Sequence, residues 1–282
     1  MQMNEPPLPP VEGSRTVAVT GWRAGEAFEA SDCVAEEVPV ALEYNGISHA
    51  VMLATPADLE DFARGFSVTE GIVDSAADIR DITMSRNPQG ITLHIDIASS
   101  SFARLKDRRR SMTGRTGCGL CGTDSLADAV RQPPMITGST SFDALAVTHA
   151  LQNLRGRQLL LAATGATHAA AWCDASGAMA LVREDVGRHN ALDKLVGAML
   201  QARTPAQTGF IVVTSRASYE MVHKSAVAGV ALLAAVSGVT ALAVDMAQVA
   251  NMALLGFVRG DDLSIYAHPE RIHLPKKGEQ DE

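Results

Sequence analysis

Residues 210–224 of this chain read FIVVTSRASYEMVHK. The uninterrupted apolar run Phe210–Val213 is typical of a buried strand. The polar segment after it, Thr214–Ser218, leads directly into a helix that we expect over residues 219–228. A strand that ends where a helix begins offers backbone N–H groups to an anion. Alternation of this kind indicates an α/β fold.

The same alternation continues on both sides of this segment. We expect helices over 141–154 and 189–202, and strands over 159–164, 168–173, 179–183 and 263–267. Ala226–Val244 holds nineteen consecutive uncharged residues, but Gly229 and Ser237-Gly238 interrupt it where turns would fall. We therefore interpret it as a helix end, a buried strand, a turn and the next helix. Together these elements predict a three-layer α/β domain with a mixed sheet over residues 125–275, followed by a charged tail over 276–282.

The N-terminal part of the chain shows different patterns. Residues 1–30 carry four prolines and little periodicity, which predicts a loosely ordered arm. Residues 31–105 predict a small α+β domain. In it, two short strands flank the turn Asn45-Gly46, and Ile91–Ile97 alternates between apolar and polar residues. Between these strands we expect a helix that Thr55 caps.

Composition and charge exclude several classes of protein. Hydrophobic residues make up 46% of the 282 and charged residues 20%, which is ordinary for a globular protein. A formal net charge of −8 and an aromatic content of 4% argue against a protein that coats nucleic acid. The N-terminus lacks the features of a signal peptide, and four scattered cysteines do not make a disulfide scaffold. We therefore expect a cytoplasmic protein with no nucleic-acid or membrane partner.

Residues 106–124 predict a loop between the two domains, basic at first and then rich in glycine around Cys118-Gly-Leu-Cys121. Basic neighbours lower the pKa of a thiol, and the thiolate is the nucleophile. A zinc site would need two more ligands, which Cys173 and the dispersed histidines do not supply, so we expect no metal. A dithiol–disulfide switch would usually follow a strong strand. A sulfur-carrying persulfide fits best, and an incidental cysteine pair is the remaining alternative.

The segment Glu184–Lys194 lies at the junction of an expected strand and helix, and most of its residues can ionise or hydrogen bond. Ligands of α/β sheets bind at such junctions. In one interpretation, its acidic residues orient Arg188 and His189 toward an anion at the helix N-terminus. In the other, it is a capped helix start with Asp193 and Lys194 on the solvent face.

Three other polar segments follow or join expected strands. Thr164–His168 joins two strands, and its histidine is either a ligand contact or a structural residue. Arg216 is equally suited to a surface ion pair and to a phosphate contact. Gly256–Asp262 is normally only a strand end and turn, although its neighbouring Phe and Arg would also hold a base and its phosphate. The residues alone leave these alternatives open.

Four segments in order carry a resemblance to a known family. They are Asp61–Gly71 (DFARGFSVTEG), Gly117–Gly122 (GCGLCG), Glu184–Lys194 (EDVGRHNALDK) and Ser215–Lys224 (SRASYEMVHK). Together they resemble the formate dehydrogenase accessory sulfurtransferase family, FdhD, and the resemblance runs from about Glu37 to Arg271. Ala166 is a mild departure, because the resemblance leads us to expect a second glycine there.

The resemblance implies a cytoplasmic sulfurtransferase that receives sulfur from a cysteine desulfurase. The sulfur would pass to molybdenum bis(molybdopterin guanine dinucleotide), or its tungsten analogue, before this cofactor enters the catalytic subunit of formate dehydrogenase. Cys118 would carry the persulfide, and Cys121 would assist or relay. GDP would partly mimic the cofactor. The cofactor contacts would fall on Phe257, Val258, Arg259, Gly260, Asp261 and Asp262.

The family fold implies a cytidine-deaminase-like α/β domain with a small α+β domain, usually as a homodimer. The zinc ligands of deaminases are not evident in the sequence, so a zinc deaminase is the third choice of function. The second is a chaperone that holds the cofactor and docks on the apo-enzyme without covalent sulfur chemistry.

Overall fold

A computed structural model describes residues 11–113 and 130–275. The strands in this part of the chain are β1 (Ser14–Arg23), β2 (Glu26–Ala35), β3 (Val38–Tyr44), β4 (Ile47–Ala54), β5 (Ile79–Asn87), β6 (Gly90–Ile97), β7 (Phe142–Asp143), β8 (His168–Asp174), β9 (Met179–Asp185), β10 (Gly209–Val213), β11 (Leu232–Ala235), β12 (Ala253–Arg259), β13 (Asp262–Ala267) and β14 (Ile272–His273). The α-helices are α1 (Leu59–Thr69), α2 (Ser99–Thr113), α3 (Ala144–Leu154), α4 (Leu159–Thr164), α5 (Arg188–Gln201), α6 (Tyr219–Val227) and α7 (Ala241–Ala250).

The larger sheet has six strands in the order β13-β12-β11-β10-β8-β9. Strands β10, β11 and β12 are parallel, and the other pairings are antiparallel, so the sheet is mixed. Every residue of β10 is buried, which requires cover on both faces of the sheet. The α/β fold with a mixed sheet is thus confirmed, and β13 lies at its edge as expected.

The smaller sheet has four strands in the order β4-β3-β6-β5. Asn45 and Gly46 both have positive φ, 46° and 81°, as the predicted two-residue hairpin turn requires. In β6, Ile91, Leu93 and the two later isoleucines are buried, so the predicted alternation is confirmed. This sheet and α1 enclose a core of their own, separate from the core around the larger sheet.

Helices α1 and α5 form the main contact between the two cores. Glycines stand where the helices cross. A Cβ on Gly65 would collide with the Asp193 backbone oxygen, and a Cβ on Gly197 would collide with the Asp61 oxygen. The absence of these side chains lets the helix backbones touch, which brings the buried polar residues of α1 and α5 within reach of one another.

Two predictions about irregular structure are wrong. Residues 14–30 belong not to a loose arm but to the hairpin β1–β2, whose two strands pair continuously from Ser14↔Ala35 to Arg23↔Glu26. Its residues are mostly exposed, which explains the weak apolar period. Residues 106–113 continue helix α2 instead of starting a loop. Over residues 99–107, where the side chains are described, few of them are buried, Leu105 among these, so the sequence gives little helical pattern.

Two further predictions are wrong at the level of single elements. Residues 159–164 form helix α4 and not a strand, because a short apolar run is ambiguous between the two. Thr55 does not cap α1, which begins at Leu59 after Asp58. The Thr55 hydroxyl instead accepts a hydrogen bond from the Val186 N–H at 3.2 Å and so joins the two cores.

The uncharged segment Ala226–Val244 folds as predicted. Helix α6 ends at Val227, the buried strand β11 follows, and α7 begins at Ala241. Within the described ranges, none of the helices combines the length and the apolar composition that crossing a membrane demands.

Candidate functional site

One edge of the six-stranded sheet gathers most of the polar segments noted in the sequence. The parallel strands β10, β11 and β12 all end there. Thr214 follows β10, Val236 follows β11, and Phe257 lies within β12, just before its end at Arg259. Strand β8 runs antiparallel to β10, so its first residue, His168, lies at this edge. Strand β9 runs antiparallel to β8 and ends at the same edge with Asp185, which pairs with His168. We call this the carboxyl edge. Ligands of α/β sheets bind at such edges.

The carboxyl edge contains a cavity of about 330 Å³, which we call the edge cavity. Its walls are mostly apolar, and two arginines and two glutamines contribute its charge and amide groups. The lining residues are Leu151, Gln152, Leu154, Arg155, Gln158, Leu161, Thr214, Val236, Val258, Arg259 and Gly260.

Three of the six residues predicted to contact the cofactor line the edge cavity: Val258, Arg259 and Gly260. The Arg259 Nε donates to the Val236 backbone oxygen at 3.1 Å, which holds the exposed guanidinium beside the cavity. Asp261 accepts from Gln152 Nε2 at 3.1 Å. Asp262 is exposed at the start of β13.

Phe257 stands at the rim of this region in a rare backbone conformation. Its φ is 52°, which a bulky residue seldom adopts, and the pairing of β12 with β13 shifts register between Gly256 and Arg259. The side chain is 46% exposed, and its ring lies against Gly238. The chain thus holds an exposed aromatic ring next to Arg259, and strained residues of this kind cluster at functional sites.

The segment Glu184–Lys194 contributes chiefly structure. Asp185 and Lys194 form a fully buried ion pair at 2.7 Å. Asp185 also accepts from the Thr55 N–H at 2.9 Å, and Lys194 donates to the Thr55 oxygen at 3.0 Å. The alternative that placed Asp193 and Lys194 on a solvent face is wrong, because both side chains are buried. These residues fix the end of β4 to the carboxyl edge.

The Glu184 carboxylate caps the short helix α4. Its two oxygens accept from the N–H groups of Leu160 and Leu161, each at 2.9 Å, and one also accepts from the Thr167 hydroxyl. A carboxylate at a helix N-terminus satisfies amides that have no partner within the helix. This contact explains why residues 159–164 form a helix beside the edge cavity.

A second buried cluster lies where α1, α5 and α6 meet, and we call it the Lys224 cluster. The Lys224 ammonium donates to Asp193 at 2.9 Å, to Glu70 at 2.8 Å and to the Thr69 hydroxyl at 3.2 Å. Burial lowers the pKa of Lys224, but the carboxylates of Asp193 and Glu70 outweigh it and raise that pKa. Lys224 therefore stays charged in the interior.

The second described range begins at residue 130, and its first residues lie next to the Lys224 cluster. Arg131 donates to the Glu70 carboxylate at 2.6 Å and to the Glu70 backbone oxygen at 2.9 Å. The Arg131 N–H also donates to the Tyr219 hydroxyl at 2.7 Å. Residue 131, ten positions after Cys121, is thereby fixed at the junction of the two cores.

The charge of Glu70 should make stability depend on pH. Burial raises its pKa, but Lys224 and Arg131 outweigh burial and lower the pKa from 4.5 to about 2. A lowered pKa in the folded state stabilises the protein fully above pH 4.5, and the contribution is lost as pH falls toward 2. We expect Glu70→Gln to be less stable than the wild type at neutral pH, by a margin that narrows below pH 4.5. Urea unfolding of both proteins across this range measures the margin, and a margin independent of pH would contradict the assignment.

The N-termini of α5 and α6 also meet at the carboxyl edge. His189 and Glu220 form a pair at 2.7 Å between them. This contact with His189 lowers the pKa of Glu220 despite partial burial. At His168, burial and the nearby Arg188 lower the pKa, which favours the neutral imidazole. Arg216 is exposed on the segment that follows β10. The edge thus holds the guanidinium groups of Arg188 and Arg216 beside the carboxylate of Glu220.

The predicted catalytic residues Cys118 and Cys121 lie outside the described residues. The two cysteines in the described ranges are unsuited to sulfur transfer. Burial, followed by the charge of Asp174, raises the pKa of Cys173 to about 12, so it is a thiol at neutral pH. Cys33 is buried, and its sulfur donates to the Ser14 hydroxyl at 3.3 Å. The described part of the chain holds no group of three side chains suited to a metal ion.

Gln158, which sequence reasoning missed, is the most unusual polar residue at the edge cavity. Its side chain is only 2% exposed, and its Nε2 atom has no hydrogen-bond partner within the described ranges. It belongs to none of the four motifs, and a lone glutamine beside a leucine run gives no signal of burial.

The fold and its carboxyl edge define an α/β protein with two cores and a candidate ligand site at the ends of parallel strands. The family model of the FdhD/NarQ family matches residues 35–273. The chain therefore belongs to the FdhD/NarQ family, which confirms the resemblance indicated by the four motifs.

Two relatives match nearly the whole chain. One from Variovorax paradoxus is 55% identical over 273 residues, or 97% of this chain and 98% of the relative. One from Bordetella petrii is 57% identical over 256 residues, or 91% and 92% of the two chains. Both are named sulfur carrier protein FdhD.

A solved structure has the same fold. It is a crystal structure from Desulfotalea psychrophila assigned to a formate dehydrogenase accessory protein, with a TM-score of 0.72 and 23% identity. The match covers 92% of this chain and 99% of the other. This similarity confirms the architecture of the described residues.

Proposed function

We propose that this protein is a sulfur carrier that supports formate dehydrogenase. The observation that carries the proposal is the near-complete match to relatives named sulfur carrier protein FdhD. In finer detail, it takes sulfur from a cysteine desulfurase in the cytoplasm as a persulfide on Cys118. It then delivers the sulfur to molybdenum bis(molybdopterin guanine dinucleotide) before the cofactor enters the catalytic subunit of formate dehydrogenase.

The loading step is an exchange at sulfur. The Cys118 thiolate attacks the outer sulfur of the desulfurase persulfide, and a new S–S bond forms as the old one breaks. The desulfurase cysteine leaves as a thiolate. For delivery, the Cys121 thiolate attacks the inner sulfur of Cys118, and hydrosulfide leaves for the cofactor. A disulfide between the two cysteines remains, and a cellular thiol reduces it.

The carboxyl edge is the proposed site of the guanine nucleotide. A cofactor with several phosphates needs local positive charge on a protein of net charge −8. Arg155 and Arg259 line the edge cavity, and its apolar walls suit a base. The exposed ring of Phe257 offers a stacking face beside them.

One experiment separates the sulfur carrier from a chaperone that only holds the cofactor. The protein is incubated with a cysteine desulfurase and cysteine, and the peptide that contains Cys118 is analysed by mass spectrometry. We expect a gain of one sulfur atom, which a reducing agent removes. If the cysteines stay unmodified while the protein still activates formate dehydrogenase, the chaperone is the better description.

Arg259→Ala should weaken GDP binding. The lost phosphate contact should reduce binding free energy by about 1–3 kcal/mol, the range for a charged hydrogen bond. Arg203→Ala is the matched control, since Arg203 is an exposed arginine after the C-terminus of α5, away from the carboxyl edge. Calorimetry at two salt concentrations should show that salt weakens the wild type more than Arg259→Ala. Equal GDP affinity in the wild type and Arg259→Ala would remove Phe257–Asp262 from the cofactor site.

A further inference from the structure

Gln158 places an unsatisfied polar group in the wall of the edge cavity. Its side chain is 98% buried, yet its Nε2 atom finds no acceptor in the described ranges. Buried amide donors in folded proteins almost always have a partner, because losing the hydrogen bonds to water without replacement is unfavourable. A buried donor without an acceptor beside a cavity therefore points to an acceptor that the cavity receives.

The neighbouring residues do not supply that acceptor. Much of the wall is leucine and valine. The Thr214 hydroxyl accepts from the Ala169 N–H at 3.0 Å and so is occupied by β8. Gln152, the other amide in the lining, is exposed and already donates to Asp261. Among the two lining amides, Gln158 is the one that is both buried and unsatisfied.

We infer that Gln158 recognises the base of the bound nucleotide, with its Nε2 donating to the carbonyl oxygen at C6 of guanine. This inference rests on the proposed function, since it concerns the guanine nucleotide at the same edge. Arg155 and Arg259 face the phosphates, and the base enters between the apolar walls toward Gln158. Adenine carries an amino group at C6, which is a donor and offers the Nε2 no acceptor there. Gln158 is thus a specificity-determining residue.

The test measures binding of GDP and ADP to the full chain by calorimetry. We expect the wild type to prefer GDP, and Gln158→Met to lose about tenfold in GDP affinity, which corresponds to one buried hydrogen bond. ADP affinity should change little. Methionine keeps the length of the side chain without its amide. Gln152→Met is the matched control, because Gln152 lines the same cavity with a satisfied amide, and it should leave the preference for GDP unchanged.

A second arm needs no variant and so does not depend on how a substitution folds. The diphosphate of 2-aminopurine riboside lacks the carbonyl oxygen of GDP, and the wild type should bind it about tenfold more weakly. If wild type and Gln158→Met bind GDP equally, or the wild type does not distinguish the two bases, the role of Gln158 is wrong while the nucleotide site stands. If the wild type binds no GDP at all, the proposed nucleotide site and this inference both fail.

Discussion

Cys118→Ala should abolish the activation of formate dehydrogenase. The proposed chemistry passes every transferred sulfur atom through one S–S bond at Cys118, and alanine has no atom that can form this bond. Each variant is expressed in cells that lack the endogenous carrier, and the formate dehydrogenase activity of these cells is measured. We expect a loss of several orders of magnitude, about that seen when a covalent nucleophile is removed.

The other cysteines provide the controls for this experiment. Cys121→Ala should be as severe or milder, because Cys121 assists at delivery. Cys33→Ser should retain activation, since Cys33 is a buried thiol of the β1–β2 hairpin. GDP binding should be unchanged in Cys118→Ala, which shows that the loss is chemical and that the protein is folded. Full activation by Cys118→Ala would refute the persulfide mechanism.

The elements that sequence reasoning predicted well carry their signal within a few neighbouring residues. The run Phe210–Val213 is buried on both faces, and its unbroken series of apolar residues predicts this burial. The turn Asn45-Gly46 needs positive φ at both positions, which these residue types favour. Helix α4 shows the opposite case. Its leucine run fits a strand equally well, and the Glu184 carboxylate that caps it lies more than twenty residues away.

The candidate site was predictable to the same extent. The residues alone left Gly256–Asp262 open between a simple turn and a nucleotide contact, and only the family resemblance pointed to Phe257–Asp262. The structure places Val258, Arg259 and Gly260 of this segment in the wall of the edge cavity. The burial of Lys194 and Lys224 was hidden, because their partners are distant in sequence. Thr55 is 139 residues from Lys194, and Glu70 is 154 residues from Lys224. From the sequence alone, charged residues indicate a solvent-exposed face. The buried partners of Lys194 and Lys224 are brought together only by the tertiary packing, including the close crossing of α1 and α5.

Lys224→Met should lower the free energy of unfolding more than Glu70→Gln or Arg104→Met does. The Lys224 and Asp193 side chains are 6% and 2% exposed, and the ammonium is the main positive group that compensates the Asp193 carboxylate. Removing one partner of a buried ion pair leaves an uncompensated charge, which typically lowers the free energy of unfolding by about 3–5 kcal/mol. Urea unfolding at neutral pH measures the change, provided the slope with denaturant stays constant.

Arg104→Met is the matched control, because Arg104 pairs with Asp74 at the same distance of 2.8 Å that joins Lys224 to Glu70, but with side chains that are 43% and 78% exposed. Exposed pairs contribute less than about 1 kcal/mol, so this variant should be close to the wild type. The double variant Lys224→Met/Asp193→Leu removes the stranded carboxylate and should regain part of the loss. If Lys224→Met were as stable as Arg104→Met, the cluster would not hold the two cores together, and the junction would depend on the packing of α1 against α5 and on the contacts of Thr55 with Val186, Asp185 and Lys194.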